Sequence, residues 1–221
     1  MHLRALHLLA PDLLLQQRFY SEVLGLPTAL PNPHVLVVHL GLSQLVFRQA
    51  TPGSAPFYHF AIAVPHNLLR EAHAWLAPRT PVLPFVHGEA IADFPNWRAQ
   101  AFYFHDPAGN ILEFIARFEV PNAAAGPFGA AQLLGLSEAG MATPNVPALA
   151  AELTAHHGIP DFFRGPKLPT FAALGTDDGL LILTQQGRGW LPTGRPAERH
   201  WLRIEGEHAG RSFVIEDTPG T

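Results

Sequence analysis

Residues 102–114 read FYFHDPAGNILEF. Phe102 to His105 closes the run AQAFYFH (Ala99–His105), whose bulky residues suit a strand, and ILEFIARF (Ile111–Phe118) suits a second one. DPAGN between them is a turn, in which Asp106 accepts backbone N–H groups and Gly109 supplies a positive φ. Side chains alternate along a strand, so Ile111, Glu113 and Ile115 share one face. A carboxylate among apolar neighbours is costly to bury alone, which marks Glu113 as a residue with a partner.

Working outward, FYHFAIAV (Phe57–Val64) is a strand on which Phe57, His59, Ala61 and Ala63 share a side. The stretch HNLLREAHAWLA is a helix with Leu69, Ala72 and Leu76 on one face. TPVLPFV is a broken strand, and Gly88–Trp97 is a turn-rich loop. That loop is either a lid over a pocket or a strap on the sheet edge. The segment thus reads β-α-β-β-β. Residues before the linker TPGSAP (Thr51–Pro56) repeat the order: LRALHLL, a helix capped by Asp12 and stopped by Gly25, then strands around Val35–Leu40 and Gln44–Gln49. In this helix Leu15, Phe19 and Val23 fall at helical spacing.

PNAAAGPFGAAQ (Pro121–Gln132) is the boundary signal, which divides the chain into 1–120, a linker at 121–131, and 132–221. Beyond it come a strand candidate, a helix with Pro147 in its first turn and Gly158 at its end, and the hairpin TFAALGTDDGLLILT. One further hairpin, Trp201–Glu205 with Arg211–Glu216, ends the sequence, and no helical stretch remains for a full fourth unit. The expected fold class is α+β: paired βαβββ units forming a cupped mixed sheet, with a third partial unit. The first two units are expected to make one cup. The third then needs the terminal hairpin or a second copy of the chain, which predicts a homodimer.

Composition narrows the function. The 221 residues hold no Cys, which excludes disulfides, thiolate metal sites and a Cys nucleophile. A net charge of -4 argues against nucleic acid as partner. No apolar run reaches membrane-spanning length, and Met1–Ala10 lacks a cleavage pattern, so a cytoplasmic protein with a small-molecule substrate is expected. The 13 His make imidazole unusually available. His7, with Ala5 and Leu9 on its side of the first strand, matches His59 in the repeat. Two imidazoles and one carboxylate meeting inside a cup, His7, His59 and Glu113, form a facial set for a divalent ion with open positions. Setting SEAGMATP against YHFAIAVP places Glu138 opposite His59, in a unit read as structural or pocket-closing. Arg188, Arg195, Arg199 and Arg203 are either an anion-facing patch or a solvated surface.

QQRFYSEVLGLP after a His-bearing strand, YHFAIAV, and FYFHDPAGNILEF together resemble the glyoxalase, bleomycin-resistance and ring-cleaving-dioxygenase superfamily, the vicinal oxygen chelate proteins. The resemblance covers Leu3–Phe118 well and Leu133–Thr184 weakly. It implies paired βαβββ units with a divalent metal (Fe, Mn, Zn or Ni) held by His7, His59 and Glu113. Aligning QLVF with ILEF puts Val46 opposite Glu113, so this set has no fourth protein ligand and is closer to the ring-cleaving dioxygenases. In those a Tyr often stands ten residues before the metal Glu. Tyr103 stands there as a catalytic or substrate-contacting residue, with Glu113 doubling as base. The function so implied is metal-dependent chemistry on a substrate with vicinal oxygens, first as dioxygenase-like ring cleavage. A glyoxalase-like lyase, isomerase or thiol transferase, or a non-catalytic drug-binding protein, are the alternatives.

Overall fold

The computed structural model describes residues 1–219. Chain order is β1 (His2–Ala10), α1 (Leu13–Arg18), β2 (Thr28–Asn32), β3 (Val35–Leu40), β4 (Ser43–Gln49), β5 (His59–Ala63), α2 (Leu69–Leu76), β6 (Val82–Leu83), β7 (Ala92–Phe94), β8 (Ala99–His105) and β9 (Ile111–Arg117). Then follow β10 (Gly135–Thr143), α3 (Val146–His157), β11 (Phe171–Thr176), β12 (Gly179–Gln185), β13 (Gly189–Trp190), β14 (Arg195–Pro196), β15 (Leu202–His208) and β16 (Arg211–Asp217). The class is α+β, as the repeat pattern implies.

The pairing of units differs from the expected one. Unit two (β5–β9) joins unit three through antiparallel β5 and β10, in register Ala61↔Glu138. Unit one joins the terminal hairpin through antiparallel β1 and β15, in register His7↔Arg203. Between unit one and unit three the strand ladder is limited to Leu3 opposite Leu136, beside which Ser43 Oγ accepts from the Leu136 N–H at 3.0 Å. The division at 121–131 therefore cuts through a cup: β10, from beyond the linker, is a wall of the cup that β5 begins. Repeats with equivalent edges pair equally well in several orders, so strand pattern alone does not select one. A local steric feature favours β5 against β10. A Cβ at Gly140 would stand 2.8 Å from the His59 carbonyl oxygen and 2.9 Å from the Trp190 ring. Glycine is what lets the strand and that indole close in there. The pairing also gives unit three its partner within the chain, which removes the premise of the homodimer expectation.

The two sequence motifs meet at one buried group. Asp106 accepts hydrogen bonds from Gln16 Nε2 (2.8 Å) and Tyr20 Oη (3.0 Å) of the first helical segment. It also accepts from Asn110 Nδ2 (2.7 Å) and from the backbone N–H groups of Ala108 (3.0 Å) and Asn110 (3.1 Å). Asn110 Oδ1 accepts in turn from the Tyr58 N–H at 2.8 Å, fixing the entry to β5. The turn-capping reading of Asp106 holds, and the residue also clamps α1 to unit two. That clamp reorients the helix: Leu13, Gln16, Phe19 and Tyr20 are buried, whereas Leu15 is half exposed. A polar glutamine occupies the inward face because its partner lies 90 residues away.

The Gly88–Trp97 loop is a strap. Its strand β7 pairs antiparallel with β8, Ala92 opposite Ala101. Phe94 and Trp97 nonetheless turn inward and line the cavity of the second cup. Among the described residues, no helix is long and apolar enough to cross a membrane.

Candidate metal centre

The concave face of the cup made by units two and three is walled by aromatic and aliphatic groups around three buried polar ones. β5 and β9 run parallel with His59 opposite Ile111 and Ala61 opposite Glu113, so His59 and Glu113 sit one step apart on adjacent strands and face inward. Glu138 enters from β10. His59 Nε2 lies 3.7 Å from a Glu113 carboxylate oxygen and 4.0 Å from one of Glu138. One donor atom from each of the three lies within 4.8 Å of the others. The cavity beside them has a volume of about 260 Å³.

The tautomer of His59 decides what this group can do. Its Nδ1 lies 3.1 Å from the Ile111 carbonyl oxygen, which can only accept, so Nδ1 carries the proton. Nε2 then presents a lone pair to two carboxyl groups. Lone pairs facing one another in a buried site are mutually repulsive, and a cation between them resolves the conflict. The donor set, one neutral imidazole fixed by a backbone carbonyl and two carboxylates, fits a divalent ion.

Charge in the surroundings is arranged to the same end. Burial pushes the Glu113 carboxyl well above the usual carboxylate range, and the nearby Glu138 pushes it further. Burial raises Glu138 as well, but Arg117 offsets this. Arg117 is itself buried, ion-paired with Glu138, and donates from Nε to Ser137 Oγ at 3.1 Å. Tyr103 stands opposite Glu113 on β8, and its hydroxyl is kept protonated by burial and by the nearby Glu113. Trp190 lies against His59 with ring centroids 4.9 Å apart.

Burial lowers the His59 pKa from 6.5 to about 4. The folded, metal-free protein therefore resists a proton that the unfolded chain accepts. Stability from this group is complete above pH 6.5 and falls as pH drops through the window toward 4. Denaturant midpoints of metal-free protein are expected to decrease steadily across that window. A His59→Gln variant with the same slope would show that other groups carry it.

Of the residues marked in the sequence, the structure brings His59, Glu113 and Tyr103 together and leaves His7 out. His7 Nε2 lies 3.2 Å from a Glu205 carboxylate oxygen, with Val46 and Arg203 beside it on the neighbouring strands. The reason is the unit pairing: β1 and β5 are equivalent first strands, but they open different cups. The third buried polar group is Glu138, which the alignment of SEAGMATP with YHFAIAVP places opposite His59. Arg117 was missed, though it lies four residues after Glu113 and thus on the same face of β9. Of the four arginines in the expected patch, only Arg188 lines the cavity. Arg195 stacks on Phe57, Arg199 pairs with Asp217, and Arg203 pairs with Glu205 and Glu216.

No family model and no curated protein sequence matches the chain. Solved structures do. A putative dioxygenase from Bacillus subtilis subsp. subtilis str. 168 matches all of this chain and 86% of its own, with a TM-score of 0.62 at 15% identity. A glyoxalase I variant from Zea mays matches 83% of this chain and 68% of its own, with a TM-score of 0.55 at 16% identity. The chain has the fold of these glyoxalase and dioxygenase structures.

Proposed function

We propose that the protein is a divalent-metal-dependent enzyme acting on a small planar substrate with two neighbouring oxygens, and that it moves a proton on that substrate as a lyase or isomerase does. The observation behind this reading is the lone pair of His59 Nε2 aimed at Glu113 and Glu138 inside an aromatic cavity. His59, Glu113 and Glu138 would hold the ion. When bound, the ion supplies Lewis acidity that stabilises negative charge developing on the substrate oxygens.

The chain's own groups supply the rest. Tyr103, across the strand pair from Glu113, brings a protonated hydroxyl to the same cavity. Arg117 holds Glu138 and balances its charge. Phe94, Trp97, Phe171 and Trp190 make the wall around these groups apolar, which strengthens electrostatic interactions beside it. Two carboxylates against one imidazole depart from the two-imidazole set implied by the dioxygenase resemblance. This oxygen-rich set favours proton transfer over oxygen activation.

Ring cleavage is the second reading, supported by the flat aromatic walls, which suit a catechol ring. Metal analysis followed by two assays separates the readings. Protein loaded with Mn, Zn, Ni or Fe(II) is expected to retain one ion per chain. With adducts of α-ketoaldehydes and thiols it is expected to catalyse proton exchange in deuterated water without oxygen uptake. Oxygen uptake with catechol would select ring cleavage. Failure to retain any divalent ion would overturn both and leave ligand sequestration.

A further inference from the structure

Arg188 is a cation placed on the cavity wall with no acid to balance it. It lies in the loop between β12 and β13, half-buried, among residues lining the same cavity as His59, Glu113 and Glu138. Among the described residues it forms no ion pair, whereas the other three arginines of its neighbourhood are each engaged with a carboxylate or with backbone and an aromatic ring. Its backbone is held rigidly: the Arg188 N–H donates to the Gln185 carbonyl at 2.9 Å, and its own carbonyl accepts from the Ala197 N–H at 2.8 Å. The guanidinium lies over the Phe171 ring, 4.7 Å from its centroid. Stacking uses the face of a guanidinium and leaves the N–H groups in its plane free to bind an anion.

The rest of the wall is unsuited to a charged ligand except at this point. Outside the three donors and Arg188, the lining is aromatic or aliphatic apart from the Tyr103 hydroxyl. Among the donors Glu138 is already balanced by Arg117, so Arg188 is left as the lining cation with which an anionic group on a ligand can pair. A cavity of about 260 Å³ is small for a ligand site and suits a single ring.

We propose that Arg188 is the specificity-determining residue for a carboxylate on the substrate, so that the ligand is a one-ring or similarly compact conjugated acid, its vicinal oxygens toward His59, Glu113 and Glu138 and its carboxylate on Arg188. The assignment of the vicinal oxygens rests on the metal-enzyme reading above. The carboxylate contact does not.

Calorimetry on Mn-loaded protein tests the whole proposal with 3,4-dihydroxybenzoate and catechol as probes. Wild-type protein is expected to bind the acid about tenfold more tightly than catechol, as one charge-assisted contact allows. Arg188→Gln is expected to erase that preference while catechol affinity and Mn content stay unchanged, and Arg188→Lys to retain part of it. Benzoate against benzyl alcohol, measured on metal-free protein, reads the carboxylate contact alone, and the same loss of preference in Arg188→Gln is expected there. A preference that survives Arg188→Gln, or equal binding of acid and neutral probe by the wild type in both pairs, would overturn the proposal. Loss of Mn binding with the benzoate preference intact would instead fault the metal reading and leave Arg188 as an anion site.

Discussion

Glu113→Gln is expected to abolish retention of the divalent ion and, with it, turnover. Gln keeps the shape and a neutral oxygen but loses the charge that makes the carboxylate a ligand. Replacement of outer partners of a metal ligand typically costs ~10–100-fold in affinity, and loss of a ligand itself is expected to exceed that. The same substitution has an opposite effect on the empty fold. Glu113 is fully enclosed, and burial and Glu138 push its carboxyl toward the neutral form. An amide removes that electrostatic burden at nearly the same volume, so metal-free Glu113→Gln is expected to be as stable as the wild type or more so. Metal content by elemental analysis and denaturant midpoints on the metal-free protein check the two halves. Near-full occupancy would remove Glu113 from the ligand set. A large loss of metal-free stability would show a structural role instead.

Asp106→Ala is expected to have the largest effect on folding. Five hydrogen bonds end on this carboxylate, and three of their donors are side chains buried with it: Gln16, Tyr20 and Asn110. Each buried donor left without a partner costs ~1–3 kcal/mol. A total of about 4 kcal/mol is expected, or roughly 10 °C in Tm for a chain of this length. Asp106→Asn can still accept at one oxygen and is expected to lose less. Thermal melts of both variants test this. Wild-type Tm in Asp106→Ala would show that α1 is held to unit two by apolar packing alone.

The same residues show how far the sequence could be read. Strands, helices and the repeat followed from alternation and capping, because those signals act over a few residues. Asp12, Gly25, Pro147 and Gly158 mark helix ends where expected. His59 and Glu113 were legible because a polar residue on an apolar strand face is costly unless partnered. His7 carries the same local signal but lies beside Glu205, apart from His59 and Glu113, since the signal does not say which cup a strand joins. That choice depends on strand edges meeting across more than seventy residues and on the clearance at Gly140. Gln16 is the same case in miniature: its inward turn looks wrong for a helix face until Asp106 is brought beside it.

The order in which the units pair has a consequence for the ends of the chain. In chain order, units two and three fall inside unit one and the terminal hairpin like an inner pair of brackets within an outer pair. Every residue lining the cavity falls between positions 59 and 191. Both extremities of the polypeptide are instead sewn together in the outer pair, where β1 lies beside β15. The middle of the sequence builds the cavity, while β1 and β15 join its early and late segments in a separate strand pair.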